Sequence, residues 1–121
     1  IFSTGENKND DLISFLNLPL SVLHWHGDRI LLPTTAELIA SSTRCKEQLF
    51  KIGPLAYGLQ FHIEIDEEMV RRWIKEDIKF ITSTLGLDAV SILKQQQRNY
   101  GYKTHQSRLR LINILFDNLG A

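Results

Sequence analysis

The residues predict a chain that mixes strands and helices, short strands first and helices after, as in an α+β domain or the later part of an α/β sheet. Two observations carry this expectation. Between positions 18 and 61 the apolar residues gather in short clusters broken by Gly27-Asp28, Pro33 and Gly53-Pro54, the pattern of brief strands joined by tight turns. From Asp66 onward they recur every three or four positions, which is the helical period.

Strands are expected at 20–23, 30–32, 38–40, 49–52 and 55–61. Asp66 is placed to cap a helix whose first turn holds Glu67 and Glu68, acids that suit the positive end of a helix dipole. Met69, Val70, Trp73, Ile74, Ile78 and Ile81 supply its apolar side, where Trp73 reads as core. A second helix is expected over 87–98. A third is expected over 106–119, with Leu109, Ile112, Leu115, Phe116 and Leu119 as a stripe that ends at Gly120. Gly101-Tyr102 reads as the turn between these two. Gln95 to Arg98 reads as a solvated helix end, and Lys103 to Arg110 as an exposed helix face. With no repeat, low-complexity tract or linker, residues 1–121 form one unit, β-rich over 18–64 and helical over 66–119. Such an order fits a small α+β domain or the later part of a larger α/β sheet, and the pattern alone does not choose.

Fourteen basic residues balance fourteen acidic ones. No broad field of one sign is then available for a nucleic-acid backbone or an anionic membrane surface, and neither is an expected partner. The apolar runs fall far short of the roughly 20 residues that cross a bilayer. The first residues lack the charged-then-apolar order of a signal peptide. A single cysteine, Cys45, excludes an intramolecular disulfide and agrees with a reducing compartment, so a cytoplasmic protein is expected. The chain opens on Ile1 and a polar stretch from Ser3 to Asp11, which reads as the interior of something longer.

The chemistry is concentrated in Tyr57-Gly58-Leu59-Gln60-Phe61-His62-Ile63-Glu64. Residues two apart on a strand share a face, so Glu64 can orient the His62 ring and stabilise its protonated form. That is what a base activating a thiol or hydroxyl requires. Alone, a His-x-Glu pair is also an ordinary solvated strand end.

The surrounding residues say more. Tyr57-Gly58-Leu59-Gln60-Phe61-His62-x-Glu64 resembles the histidine motif of class I glutamine amidotransferases, with Ile63 where that family usually has proline. Val22-Leu23-His24-Trp25-His26-Gly27-Asp28, followed by Leu32-Pro33, is similar to the His-Gly-Asp and Leu-Pro segment of GMP synthase-like members. The resemblance covers about 22–73. It implies a flavodoxin-like α/β domain represented by its C-terminal portion, with short mixed strands and then about three helices. It also implies glutamine as substrate, no cofactor, and a Cys-His-Glu triad in which His62 and Glu64 serve a cysteine thiolate. Trp25, His26 and Gly27 correspond to a segment that shapes the glutamine pocket in that family.

The family's Gly-x-Cys-x-Gly elbow, whose backbone N–H groups form an oxyanion hole, has no counterpart in this sequence. Cys45 stands in Thr43-Arg44-Cys45-Lys46-Glu47 without flanking glycines and reads as a structural or idle thiol. The N-terminal half with the elbow is therefore expected to be absent, and the chain alone to be inactive. Association with a completing chain or a second copy would cover the sheet edge left open. The rival expectation is a non-catalytic interaction or regulatory module that retains the scaffold. His24 and His26 share spacing that could join His62 on zinc, but no cysteine cluster supports it, and no metal is expected.

Overall fold

The computed structural model describes residues 1–5 and 10–118. Among the described residues four strands, β1 (Phe2–Ser3), β2 (Ala36–Ser41), β3 (Leu49–Ile52) and β4 (Ala56–Leu59), form one sheet in chain order with every pairing antiparallel. Helix α1 (Asp11–Leu16) lies between β1 and β2, while α2 (Glu67–Glu76), α3 (Ile78–Leu85) and α4 (Ala89–Asn118) follow the sheet. The α/β class and the order of strands before closing helices are as the sequence predicts.

Hydrophobic patterning explains the sheet. In β2 the pairing slips between Leu38 and Ala40, so that Ile39 is an extra residue opposite β3. Such a bulge lets two successive residues turn inward, and Ile39 and Ala40 are both fully buried. Strands β3 and β4 form a hairpin across residues 53–55, where Gly53 takes φ +62°, a conformation that glycine adopts without steric cost. Phe50 and Gly58 face each other in this hairpin.

Two cores hold the chain. Ile13 and Leu16 of α1, Ile39 and Leu49 of the sheet, Phe61 and Ile63, and Leu111 and Ile114 of α4 make the first. Ile65, Val70, Ile74, Ile81 and Ala89 make the second, with Leu23, Trp25 and Trp73 packed against it. A polar cluster anchors the start of α1 to the hairpin: Asp10 accepts from the Tyr57 hydroxyl at 2.6 Å and from the Lys51 ammonium, which also lies 5.0 Å over the Tyr57 ring. Burial first, and the Asp10 contact second, push the Tyr57 phenol above its ordinary pKa.

Several elements differ from expectation. Residues 30–32 form no strand, and 20–23 contribute a single antiparallel bridge, Leu23 to His62. Nothing in their composition announced α1, which ends where Asn17 takes φ 48°, a left-handed cap that asparagine tolerates. The helix expected from Asp66 to Ile81 is broken at Asp77, which ends α2 by donating its N–H to Trp73 O at 2.9 Å and precedes α3. The break keeps the phase of the apolar side, so Val70, Ile74 and Ile81 stay in one core. That is why spacing alone showed one helix.

The last two expected helices are one. Gly101 lies inside α4, although mid-helix glycine costs about 1 kcal/mol relative to alanine. The helix is about 45 Å long at the usual rise, and its two halves pack in different cores through Ala89 and through Leu111 and Ile114. Tertiary packing at both ends thus overrides the local preference for a turn. Its buried side is Ser107, Leu111 and Ile114, whereas Leu109, Ile112 and Phe116 of the expected stripe are exposed. The side chain of Leu115, together with Leu119 and Gly120, lies outside the described residues.

Candidate functional site

The site is built on an extended segment after β4. Phe61, Ile63 and Ile65 are buried, while His62 and Glu64 alternate with them on the opposite side. Ile63 enters the first core and Ile65 the second, so burial on both sides of His62 fixes which way its ring points. The backbone is fixed as well: His62 N–H donates to Leu23 O at 2.8 Å, and Leu23 N–H to His62 O at 3.3 Å. Arg108 of α4 donates to the carbonyls of Ile65 at 2.8 Å and Glu64 at 3.4 Å, closing the segment from above.

On that frame the expected pair meets. His62 Nδ1 lies 2.7 Å from Glu64 Oε1. The other carboxylate oxygen accepts the Ile63 backbone N–H at 3.0 Å, a bond that a proline at 63 could not donate. Partial burial pushes the Glu64 carboxyl upward, but the hydrogen bond with His62 and the backbone N–H groups outweigh it and hold the group below the ordinary carboxylate range. Glu64 is thus an acceptor that keeps a proton on Nδ1. Nε2 of His62 faces the Trp25 carbonyl oxygen at 3.2 Å. A ring flanked by two acceptors donates to both only when both nitrogens carry protons. The edge of the imidazole packs against Trp73, with ring centroids 5.3 Å apart at 86°.

Trp25, His26 and Gly27 lie in the loop that supplies this carbonyl. The Trp25 indole packs 5.6 Å from that of Trp73. His26 Nδ1 approaches Asp28 O at 2.9 Å. A side chain at Gly27 would meet open space, so packing does not demand glycine there. The three residues line a cleft of about 720 Å³ whose floor includes Gln48, whereas His62 lines a separate cleft of about 980 Å³ beside α4. His62 and the 25–27 loop therefore open into different clefts, which share His24 and Leu93 in their linings.

His24 and His26 do not share a strand face, since only Leu23 in this stretch joins a β-bridge. Their rings meet edge-on at 6.0 Å. Burial, then the amino-terminal charge and the neighbouring His26 and His62, lower the His24 pKa. Among the described residues no three His, Cys, Asp or Glu side chains are grouped to hold a metal ion, nor is any helix long and apolar enough to cross a membrane. Cys45 Sγ faces Gln60 Oε1 at 3.7 Å.

Sequence reasoning missed three contributors. Trp73, read as core, touches the His62 ring. Arg108, read as part of an exposed face, holds the carbonyls after Ile63. Gln60 shares the face of His62 by the two-residue rule that pairs His62 with Glu64, so its place beside the site is a signal that the sequence does carry.

No family model matches the chain. Over 90 residues it is 31% identical to the glutamine amidotransferase-like protein YfeJ of Salmonella typhimurium, a match that takes in 74% of this chain and 38% of that protein. Its fold is similar to the crystal structure of a glutamine amidotransferase from Thermotoga maritima, with a TM-score of 0.68 and 28% identity over 94% of this chain and 47% of that one. The chain spans less than half the length of either relative. Sequence and fold agree with the motif resemblance and support a class I glutamine amidotransferase-like domain of flavodoxin-like α/β type.

Proposed function

We propose that this chain supplies the histidine and the carboxylate of a Cys-His-Glu glutaminase site in a GMP synthase-like amidotransferase of the cytoplasm. The observation that carries the reading is the 2.7 Å contact between His62 Nδ1 and a Glu64 carboxylate held ionised by its neighbours. Glu64 keeps the proton on Nδ1, which leaves Nε2 to exchange protons with a nucleophile. A thiolate attacks the side-chain amide carbon of glutamine, and protonated His62 gives its Nε2 proton to the departing nitrogen as ammonia leaves. Water, deprotonated by His62, then hydrolyses the glutamyl thioester to glutamate and regenerates the thiol. The loop of Trp25, His26 and Gly27, already against the ring, forms one wall of the glutamine pocket.

The thiolate comes from a glycine-flanked cysteine that these 121 residues do not contain. Its source is a further segment of polypeptide or a completing chain, and ammonia passes to an acceptor synthase. A second reading is favoured by one observation: the Trp25 carbonyl occupies the position facing Nε2, where a nucleophile would have to stand. On that reading the scaffold is a non-catalytic binding or regulatory module.

Glutamine turnover separates the two. The 121-residue chain alone should release no ammonia. Joined to a segment bearing the cysteine elbow, it should do so, and His62→Ala should lower that rate by about 10²–10⁴-fold, the usual range for removing a general acid–base. A completed assembly that turns over glutamine equally well without His62 would remove this residue from the chemistry and leave the module reading.

A further inference from the structure

We propose that Gln60 is a positioning residue of this site, fixing the 25–28 loop against the His62 segment and so setting what faces Nε2 of His62. The proposal rests on the reading of His62 as the base, and it concerns a residue two positions before it on the same side of the chain. Gln60 Nε2 donates to Asp28 O at 2.6 Å and lies 3.2 Å from His26 Nδ1. Its Oε1 accepts from Cys45 Sγ at 3.7 Å. One half-buried amide thus bridges the loop before β2 and the loop after it.

The orientation of that amide follows from its partners. Reversing it would set Oε1 against the Asp28 carbonyl oxygen, two acceptors with no proton between them. Asp28 O takes the Gln60 amide proton, and His26 Nδ1 lies within hydrogen-bond distance of both, at 2.9 Å from Asp28 O and 3.2 Å from Gln60 Nε2. The turn at Gly27-Asp28 is thereby tied to Gln60. The Trp25 carbonyl that meets His62 Nε2 at 3.2 Å belongs to the same short loop. Without the Gln60 bond the loop loses the link that ties it to the very segment carrying His62.

The test is spectroscopic and needs no turnover. In the ¹⁵N-labelled chain, long-range proton–nitrogen spectra report the hydrogen bonding of each imidazole nitrogen. Gln60→Met keeps the side-chain length and removes both the amide oxygen and the amide nitrogen. It should shift the His62 Nε2 and His26 Nδ1 signals, whereas His105, whose Nδ1 contacts Arg108 on α4, should keep its own. Unchanged His62 signals in folded Gln60→Met would overturn the proposal. If that variant does not fold, Gln60→Glu, which turns a carboxylate oxygen toward the Asp28 carbonyl, is measured instead. Failure of both to fold would overturn it too, by making Gln60 a residue of stability alone. A shifted His62 signal beside a completed enzyme that does not need His62 would sink the glutaminase reading and leave the positioning role standing.

Discussion

Gly58→Ala should destabilise the chain, and the cause should be traceable to one ring. A Cβ built at Gly58 would stand 2.1 Å from Phe50 Cζ and 2.6 and 2.7 Å from the adjoining ring carbons. Carbon atoms in contact prefer about 3.5–4.0 Å, so the ring would have to retreat by about 1.4 Å. Phe50 is the direct cross-strand partner of Gly58, and a rigid ring escapes only by leaving its rotamer or by spreading the two strands. Overpacking of this kind costs about 1–3 kcal/mol. Against it stands about 0.4–1 kcal/mol gained because alanine has less backbone freedom than glycine to lose on folding. A net loss of about 1–2 kcal/mol remains, which moves a urea midpoint down by roughly 1 M at a slope of about 1–2 kcal/mol per M. The decisive assay is the double-mutant cycle: in a Phe50→Ala background the same substitution should be neutral or mildly stabilising, a departure from additivity well beyond the usual ~0.5 kcal/mol. Equal penalties in both backgrounds, or stabilisation with Phe50 present, would refute the reasoning.

Two other substitutions test the frame around the site. Asp66 Oδ1 accepts the Met69 N–H at 2.8 Å as the cap of α2, so Asp66→Ala should cost about 1 kcal/mol and Asp66→Asn much less; equal urea midpoints for the Ala variant and the parent would show that the cap is idle. Glu47, buried in the 42–48 loop, receives two bonds from Arg29 at 2.6 and 2.9 Å. The Arg29 hydrogen bond holds its carboxyl below the ordinary value, as the His62 bond and backbone N–H groups hold that of Glu64 against partial burial. A depressed carboxylate binds fewer protons folded than unfolded, so its contribution is complete above the ordinary value of about 4.3 and is lost as pH falls through the folded value. Urea midpoints should therefore fall with pH in the acid range, and Glu47→Gln should flatten that fall; curves that stay parallel would contradict the assignment.

The features legible in the sequence were those decided by neighbours along the chain. Asp66 and the acids after it mark a helix start because capping is local, and Gly53-Pro54 marks a hairpin because φ +62° is local too. His62 and Glu64 were legible because the two-residue period sets them on one side. What escaped was set by distant packing. Gly101 reads as a turn until the two halves of α4 are seen in separate cores. The exposed Leu109, Ile112 and Phe116 form a better apolar series on paper than the buried Ser107, Leu111 and Ile114, but packing against α1 and the sheet chose the latter. No local signal could have found Arg108, whose use depends on where residues 64 and 65 end in space.

The position of His62 explains how the His62–Glu64 pair keeps its geometry. Burial of Phe61, Ile63 and Ile65 on one side leaves His62 and Glu64 no other direction, and those three residues are divided between two cores that are linked by α4. Ile63 does more than the proline it replaces in the family pattern: it fills a core site and donates to Glu64 Oε2. The carboxylate is thereby held by the backbone of its own segment as well as by the ring it orients. The dyad's geometry thus depends on interactions among residues present here, whereas its chemistry depends on what stands opposite Nε2, which is now the Trp25 carbonyl. On the proposed glutaminase reading, a thiol takes that place only if the 25–28 loop yields or turns, and the proposed tie to Gln60 is then what holds the loop where it stands.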